Sequence, residues 1–248
     1  MTKLSRRVFL GSAPAAAAAA GIFGNFFSTA AEAAIKWDET YNVIVIGAGG
    51  AGLSAAVSAK EAGAKKVVVL EKMMFAGGNT IRAGGGFNAA IKADYEKAGI
   101  TDSPKLHAEQ TLAAGDGRGD PVLVHQLTEK APESVQWLKD HGVKFQDHIY
   151  QIYGGLYKRA RNPIGPRGGA YIKALLEVCK KEDIPILYNT RVVEIIREHQ
   201  LSGRVLGVKV EQKGGKTLYL RATNAVVAAA GGFAANDRLT AISDPRMG

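Results

Sequence analysis

Four apolar, β-branched residues, Val43-Ile44-Val45-Ile46, run directly into Gly47-Ala48-Gly49-Gly50-Ala51-Gly52. This junction constrains the fold more than any other stretch. Residues 53–62 have the composition and spacing of an amphipathic helix, and Gly63 is a helix stop. Lys66-Val67-Val68-Val69-Leu70 reads as a second buried strand with Glu71 at its carboxyl end. Strand, G-x-G-x-x-G turn, helix, strand and acid in this order are the opening unit of a parallel sheet that binds a dinucleotide. Gly47 permits the tight turn, Gly49 lets a pyrophosphate approach the backbone, and Gly52 lets the helix pack closely on the sheet. Gly50 and Ala51 open the helix, whose free N–H groups and positive dipole end face the phosphates. Glu71 falls about 20 residues after the glycines, where an acid accepts hydrogen bonds from a ribose.

The first 33 residues read as a leader rather than as part of the fold. Ser5-Arg6-Arg7-Val8-Phe9-Leu10 is a twin-arginine pattern, an alanine-rich apolar stretch follows, and Ala31-Glu32-Ala33 is an A-x-A cleavage site. The expectation is export to the periplasm through the twin-arginine (Tat) route, which carries folded, cofactor-loaded proteins. Alanine and glycine make the stretch too weakly hydrophobic for a stable membrane anchor. Residues 34–248 then form the mature domain. Its lone cysteine, Cys179, excludes an internal disulfide and sits in an apolar helical context, so a buried thiol is expected. Without Lys3, Arg6, Arg7 and Glu32 of the leader the net charge falls from +9 to +7, which favours acidic small substrates or an acidic partner, whereas the scatter of basic residues argues against nucleic acid. The histidines lack ligand spacing, so no metal site is expected.

After Glu71 and Lys72, two glycine clusters, Gly77-Gly78-Asn79-Thr80 and Gly84-Gly85-Gly86, flank a short segment. So much glycine costs backbone entropy and implies a main chain lying against a ligand. Asn79 and Thr80 suit phosphate oxygens, and Gly84 and Gly85 suit a flat ring system. Residues 102–142 are expected to be helical. Asp102 or Ser103 caps a helix at Pro104, a second runs from Pro121 to about Lys130, and Pro132 restarts a third that Gly142 ends. Residues 149–169 are expected to be irregular. Their Tyr150, Tyr153, Tyr157, Arg159, Arg161, Asn162 and Arg167 read equally as contacts to an anionic or planar ligand and as a basic surface loop; the Gly168-Gly169 helix start that follows has the same two readings. Strands are expected at 185–188, 192–198, 205–212 and 217–222, the last two joined at Lys213-Gly214-Gly215-Lys216. Separately, 225–230 is expected as a buried parallel strand whose end, Ala230-Gly231, brings another backbone edge to the cofactor.

With these parts in place the chain resembles the FAD-dependent fumarate reductase and flavocytochrome c family. The resemblance rests on Gly-Ala-Gly-Gly-Ala-Gly at 47–52, Gly-Gly-Asn-Thr at 77–80, Ala-Gly-Gly-Gly-Phe-Asn-Ala-Ala at 83–90, Asn-Thr-Arg-Val-Val at 189–193 and Ala-Ala-Gly-Gly-Phe at 229–233. It implies an α/β, Rossmann-like FAD-binding domain of glutathione-reductase type, a parallel sheet with helices plus an antiparallel meander at 190–222. It implies FAD as cofactor, touched by Ala51, Glu71, Asn79, Thr80, Gly84, Gly85 and the backbone of Val193. Such proteins reduce the C=C bond of a small unsaturated carboxylate. Hydride passes from the flavin, an arginine donates the proton, and a multihaem cytochrome c supplies electrons. No C-x-x-C-H is present, so the resemblance implies a separate cytochrome. The family's capping domain, with its substrate histidine and proton-donating arginine, would begin beyond Phe233. The expectation is therefore an amino-terminal portion, incomplete at its carboxyl end and without the catalytic residues. The alternatives are a non-catalytic flavin-binding subunit completed by another chain, and another FAD enzyme on this scaffold, such as a ketosteroid dehydrogenase or aspartate oxidase.

Overall fold

The computed structural model describes residues 35–199, 202–244 and 246. The twin-arginine segment and its cleavage site lie outside them. β1 (Glu39–Ile46) pairs in parallel with β2 (Val67–Leu70), Val43 beside Val67 and Ile46 beside Leu70, with α1 (Gly50–Glu61) as the crossover. Residues of β1 point alternately to the two faces, and from Val43 onward both faces are covered, so Val43–Ile46 is an unbroken apolar run. On one face Val43, Val45, Val67 and Val69 pack against Leu53, Ala56 and Val57 of α1. Ile172, Leu175 and Cys179 of α5 (Gly168–Lys181) complete that layer. On the other, Tyr41, Ile44, Val68 and Leu70 meet Val208, Val210 and Leu220 of the meander.

The main sheet runs β6-β2-β1-β9-β8-β7, with β6 (Ile186–Leu187), β7 (Thr190–His199), β8 (Ser202–Gln212) and β9 (Thr217–Ala228). Two expected strands, 217–222 and 225–230, are the single strand β9. It pairs antiparallel with β8 over Thr217–Arg221 and in parallel with β1 from Leu220 to Ala228. The register shift between Tyr41 and Val43 inserts an extra β9 residue. Asn42 Nδ2 donates there to Thr223 Oγ1 at 3.1 Å and Asn224 Oδ1 at 3.4 Å.

A smaller sheet joins β3 (Phe87–Asn88) to β5 (Lys158–Arg161) and β4 (Tyr150–Gln151), the last two within the 149–169 stretch expected to be irregular. α2 (Lys92–Lys97), α3 (Pro104–Ala114) and α4 (Pro121–Asp140) accompany it. Ser103 caps α3, its Oγ accepting from Leu106 N–H at 3.0 Å. The expected break at Pro132 is absent, and α4 continues through it. Thr128, Ala131, Val135 and Leu138 form a buried stripe across the proline, so packing holds the helix where one backbone bond is missing. A short helix, α6 (Asp237–Ser243), capped by Asn236, follows β9. Among the described residues no helix is long and apolar enough to cross a membrane.

Candidate dinucleotide site

The carboxyl ends of β1, β2 and β9 open onto one crevice, where an α/β sheet places its ligand. Gly47 turns out of β1 with φ +103°, and its N–H donates to Leu70 O at 2.8 Å. A Cβ there would meet Ala229 O, at the end of β9, at 2.5 Å. At Gly52 a Cβ would sit 1.8 Å from Gly47 O, so the helix can lie this close only without a side chain. Gly49 differs. Its φ of −81° suits any residue, and a Cβ would meet nothing nearer than Gly77 O at 3.9 Å. The protein leaves this glycine free on the side where a phosphate would come, beside the first-turn amides of Gly50, Ala51 and Gly52.

The second glycine cluster is laid directly on the first. Gly77 N–H donates to Ala48 O at 2.8 Å, and Gly49 and Gly77 form a parallel bridge. Gly78, at φ +50°, places its Cβ direction 3.5 Å from Gly49 Cα. Asn79 is exposed and begins a single 3₁₀ turn, Thr80–Arg82. Thr80 Oγ1 accepts from Gly50 N–H at 3.1 Å, which leaves its own hydrogen to donate to a phosphate oxygen. Gly77 was not among the expected contacts; the signal for it was its place as the first glycine of the Gly-Gly pair.

Glu71 is buried and both its oxygens are anchored. Oε2 accepts from Ala48 N–H at 2.8 Å and Oε1 from Met73 N–H at 2.9 Å. Each oxygen keeps a lone pair for a ribose hydroxyl, so the acid ties the glycine turn to the end of β2 as well as facing the crevice. The Ala48 amide is a partner the sequence did not reveal. Lys72 is exposed. Thr190 N–H donates to Glu71 O at 2.9 Å, which brings the start of β7 alongside. Three residues on, Val193 is the extra residue of a bulge, since Val192 pairs with Val210 and Glu194 with Lys209. Its main chain is thereby released from the ladder on an edge strand. Ala230 and Gly231 are exposed at the end of β9, Gly231 at φ +81°.

Gly84 and Gly85 lie on the opposite flank. Gly84 is exposed with open space about its Cα, whereas Gly85 is buried at φ +86° against the Arg167 backbone. The Tyr171 hydroxyl donates to Gly85 O at 2.7 Å and fixes this run to α5. The reading of Gly168-Gly169 as a ligand contact is not supported. Gly168 N–H donates to Ala83 O at 3.2 Å, and a Cβ at Gly168 would meet Thr80 O at 1.8 Å, so protein fills that helix start.

Arg159 and Arg161 are likewise not ligand contacts. Arg159 makes a fully buried bidentate pair with Asp102, at 3.0 and 2.8 Å, and a bond to Gln110 Oε1 at 2.7 Å. Arg161 is buried against Asp94 Oδ2 at 2.6 Å. His107 lies beside Arg159, and burial together with that guanidinium pushes its proton affinity down. Cys179 is buried as expected, its thiol pushed up to about 11 by burial. Among the described residues no cluster of metal-ligating side chains occurs.

A sheet-end crevice built from two interlocked glycine turns and a buried glutamate defines a dinucleotide-binding flavoprotein scaffold. Residues 42–247 match the family described as FAD binding domain, and the chain belongs to that family. It is 37% identical over 211 residues to a cytochrome fumarate reductase of Shewanella frigidimarina, covering 84% of this chain and 36% of that protein. It is 35% identical over 208 residues to a urocanate reductase of Eggerthella lenta, covering 83% of this chain and 34% of that one. The chain thus spans about a third of the length of these curated relatives. Among solved structures, the open conformation of a flavocytochrome c3 fumarate reductase superposes with a TM-score of 0.79 at 33% identity, covering 88% of this chain and 38% of that one. A 3-ketosteroid-Δ4-(5α)-dehydrogenase from Rhodococcus jostii RHA1 follows at 0.76 and 28%, covering 87% and 51%. FAD is the cofactor of this domain family, and the open approach at Gly49 and the free hydrogen of Thr80 fit its pyrophosphate.

Proposed function

We propose that this chain is the FAD-holding part of an exported reductase of the fumarate type, acting on the C=C bond of a small unsaturated carboxylate. The observation that carries the proposal is the interlocked pair of glycine turns at the crevice, in a chain that shares this segment with reductases named for fumarate and urocanate. Gly47, Gly49, Gly50, Ala51 and Gly52 cradle the pyrophosphate, with Gly78, Asn79 and Thr80 closing over it. Glu71 and Lys72 meet the ribose side, and the Val193 backbone meets the adenine. Gly84, Gly85, Ala230 and Gly231 line the flavin ring. FAD, when bound, supplies the hydride that such a reduction requires. The residues described here hold and orient it and exclude water from its pyrophosphate; no described residue is assigned as proton donor or carboxylate clamp.

Export through the twin-arginine leader, cleavage after Ala33, a mature FAD-binding domain at 34–248 and a separate multihaem cytochrome c as electron donor belong to the same proposal. The mature chain, at +7 once Lys3, Arg6, Arg7 and Glu32 are removed from the full +9, suits both an acidic substrate and an acidic partner surface.

The test is the visible spectrum of the purified chain after desalting, followed by oxidation of a reduced dye with fumarate, urocanate or acrylate, with and without the polypeptide encoded downstream. Retained flavin and turnover of one acid with the added polypeptide are expected. A folded chain that neither carries nor takes up FAD would overturn the proposal.

A further inference from the structure

Asn88 Oδ1 and His107 Nδ1 are buried and make no hydrogen bond among the described residues. Burial without a partner costs free energy, so each of these atoms calls for a group to meet it. Both residues line one cavity of about 710 Å³ between β3, α3 and α4, a volume that suits a small organic ligand. Asn88 enters it from β3, His107 and Thr111 from one face of α3, and Leu123, Leu127 and Ala131 from one face of α4. Leu123 and Leu127 are 62% and 61% exposed, so the rim leaves apolar surface open to solvent.

The polar positions are fixed by the protein itself. Asn88 is held in the ladder opposite Ala160. The His107 carbonyl accepts from the Thr111 hydroxyl at 2.7 Å, which ties the histidine to the next turn of α3. Charge in and behind the wall is already matched. Arg159 is engaged by Asp102 and Gln110, and Lys130, the one lysine of the lining, donates to Glu133 at 2.7 Å. Burial and the Arg159 guanidinium hold the His107 ring neutral. A carboxylate would therefore find no free cation here, and its lone pairs would face Asn88 Oδ1, itself an acceptor. An ammonium would find no carboxylate in the lining. A hydroxyl fits, with one hydrogen for Asn88 Oδ1 and lone pairs for an N–H at His107 Nδ1.

We propose that the cavity between β3, α3 and α4 binds an uncharged apolar alcohol or phenol, its hydroxyl on Asn88 and His107 and its hydrocarbon body against Phe87, Leu123 and Leu127. The site is separate from the dinucleotide crevice, although Gly86 in its wall continues the Gly84-Gly85 run. It stands whether or not the chain serves a reductase.

The probe is phenol, compared with toluene, benzoate and benzylamine, added to the purified full chain carrying ¹³C-labelled histidine. Phenol is expected to bind saturably and to shift the ring signal of His107, identified by its loss in His107→Gln. The signals of His125, His141, His148 and His199 should stay in place. Benzoate and benzylamine should bind more weakly than phenol. Asn88→Leu replaces the orphaned acceptor by an apolar group of similar size. The affinity for phenol relative to toluene should then drop about two- to tenfold, the worth of one hydrogen bond. Leu127→Asp, on the exposed rim, should weaken both phenol and toluene. Benzoate binding as tightly as phenol, or a phenol-to-toluene ratio unchanged in Asn88→Leu, would overturn the proposal. So would the lack of any saturable phenol shift at His107, which would mean that the cavity holds water only. If Asn88→Leu fails to fold, the His107 shift and the benzoate comparison on the wild-type chain decide.

Discussion

Gly49 and Gly52 sit in one turn, yet alanine at the two positions should fail in different ways. At Gly52 the new methyl would lie 1.8 Å from Gly47 O and 3.4 Å from the Ala229 side chain. The first neighbour is backbone, so α1 must move off the sheet, and overpacking of this kind costs about 1–3 kcal/mol or more. For a domain of this size that lowers Tm by about 2–12 °C. At Gly49 the backbone already suits alanine, and the methyl meets nothing nearer than 3.9 Å. Alanine is a poorer helix cap than glycine by about 0.5–1 kcal/mol, while its stiffer unfolded chain returns about 0.4–1 kcal/mol. The apoprotein Tm should therefore stay within about 2 °C of the wild type. The same methyl occupies the pyrophosphate approach, and losing one or two amide contacts to a charged group weakens FAD binding roughly ten- to hundredfold. Both melts must be run on apoprotein, since bound FAD adds its own stabilisation. Affinity is read by quenching of FAD fluorescence on titration. The reasoning is refuted if Gly49→Ala binds FAD like wild type, or if Gly52→Ala is as stable as wild type.

Thr80→Val removes both the acceptor for Gly50 N–H and the hydroxyl donor, so FAD affinity should fall roughly tenfold or more while Thr80→Ser restores it; isothermal titration decides. Glu71→Gln turns an N–H₂ towards either Ala48 N–H or Met73 N–H, which should cost about 1–3 kcal/mol in denaturant melts even without FAD. Asp102→Asn uncouples the buried Arg159 guanidinium and should destabilise by about 3–5 kcal/mol, whereas an exposed pair such as Lys105–Glu109 should cost under about 1 kcal/mol when broken. His107 binds its proton less readily folded than unfolded, so the unfolded chain takes up more protons and stability falls as pH drops below the ordinary value of 6.5. His107→Gln should flatten that slope in melts across the acid range. Cys179, with its thiol pushed up to about 11, should resist iodoacetamide at pH 8 until the protein is unfolded, as mass spectrometry would show.

The first half of the fold was legible because its physics is local. Glycines at fixed offsets between two apolar runs admit few structures, and α1, β2 and Glu71 stand where that pattern requires. The meander was also legible, because its strands carry their own turn at Lys213-Gly214-Gly215-Lys216. What was hidden depended on partners distant in sequence. Arg159 and Arg161 look like a ligand-binding loop until Asp102 and Asp94, from other elements, fold against them. Gly168 looked like an anion site, but its missing side chain admits Thr80 O. Pro132 reads as a helix break because the backbone rule is local, whereas the stripe from Thr128 to Leu138 that overrides it is set by packing. β9 looked like two strands because its two neighbours, β8 and β1, demand different patterns from one chain.

That double membership governs the order in which the protein can be made. β1 pairs with β2 early in synthesis, but its other edge waits for β9, and the contacting residues Asn42 and Thr223 are 181 positions apart. At about 5–20 residues per second the ribosome takes roughly 10–40 s to supply the missing strand. Throughout that interval the apolar edge of β1 is available to any other strand in the cell. The glycine crevice cannot close in that time either, because Ala229 O packs against Gly47 only once β9 is in place. Cofactor capture on this scaffold waits for β9, and a chaperone that shields residues 39–46 should raise the yield of loaded protein more than one acting on the carboxyl-terminal strands.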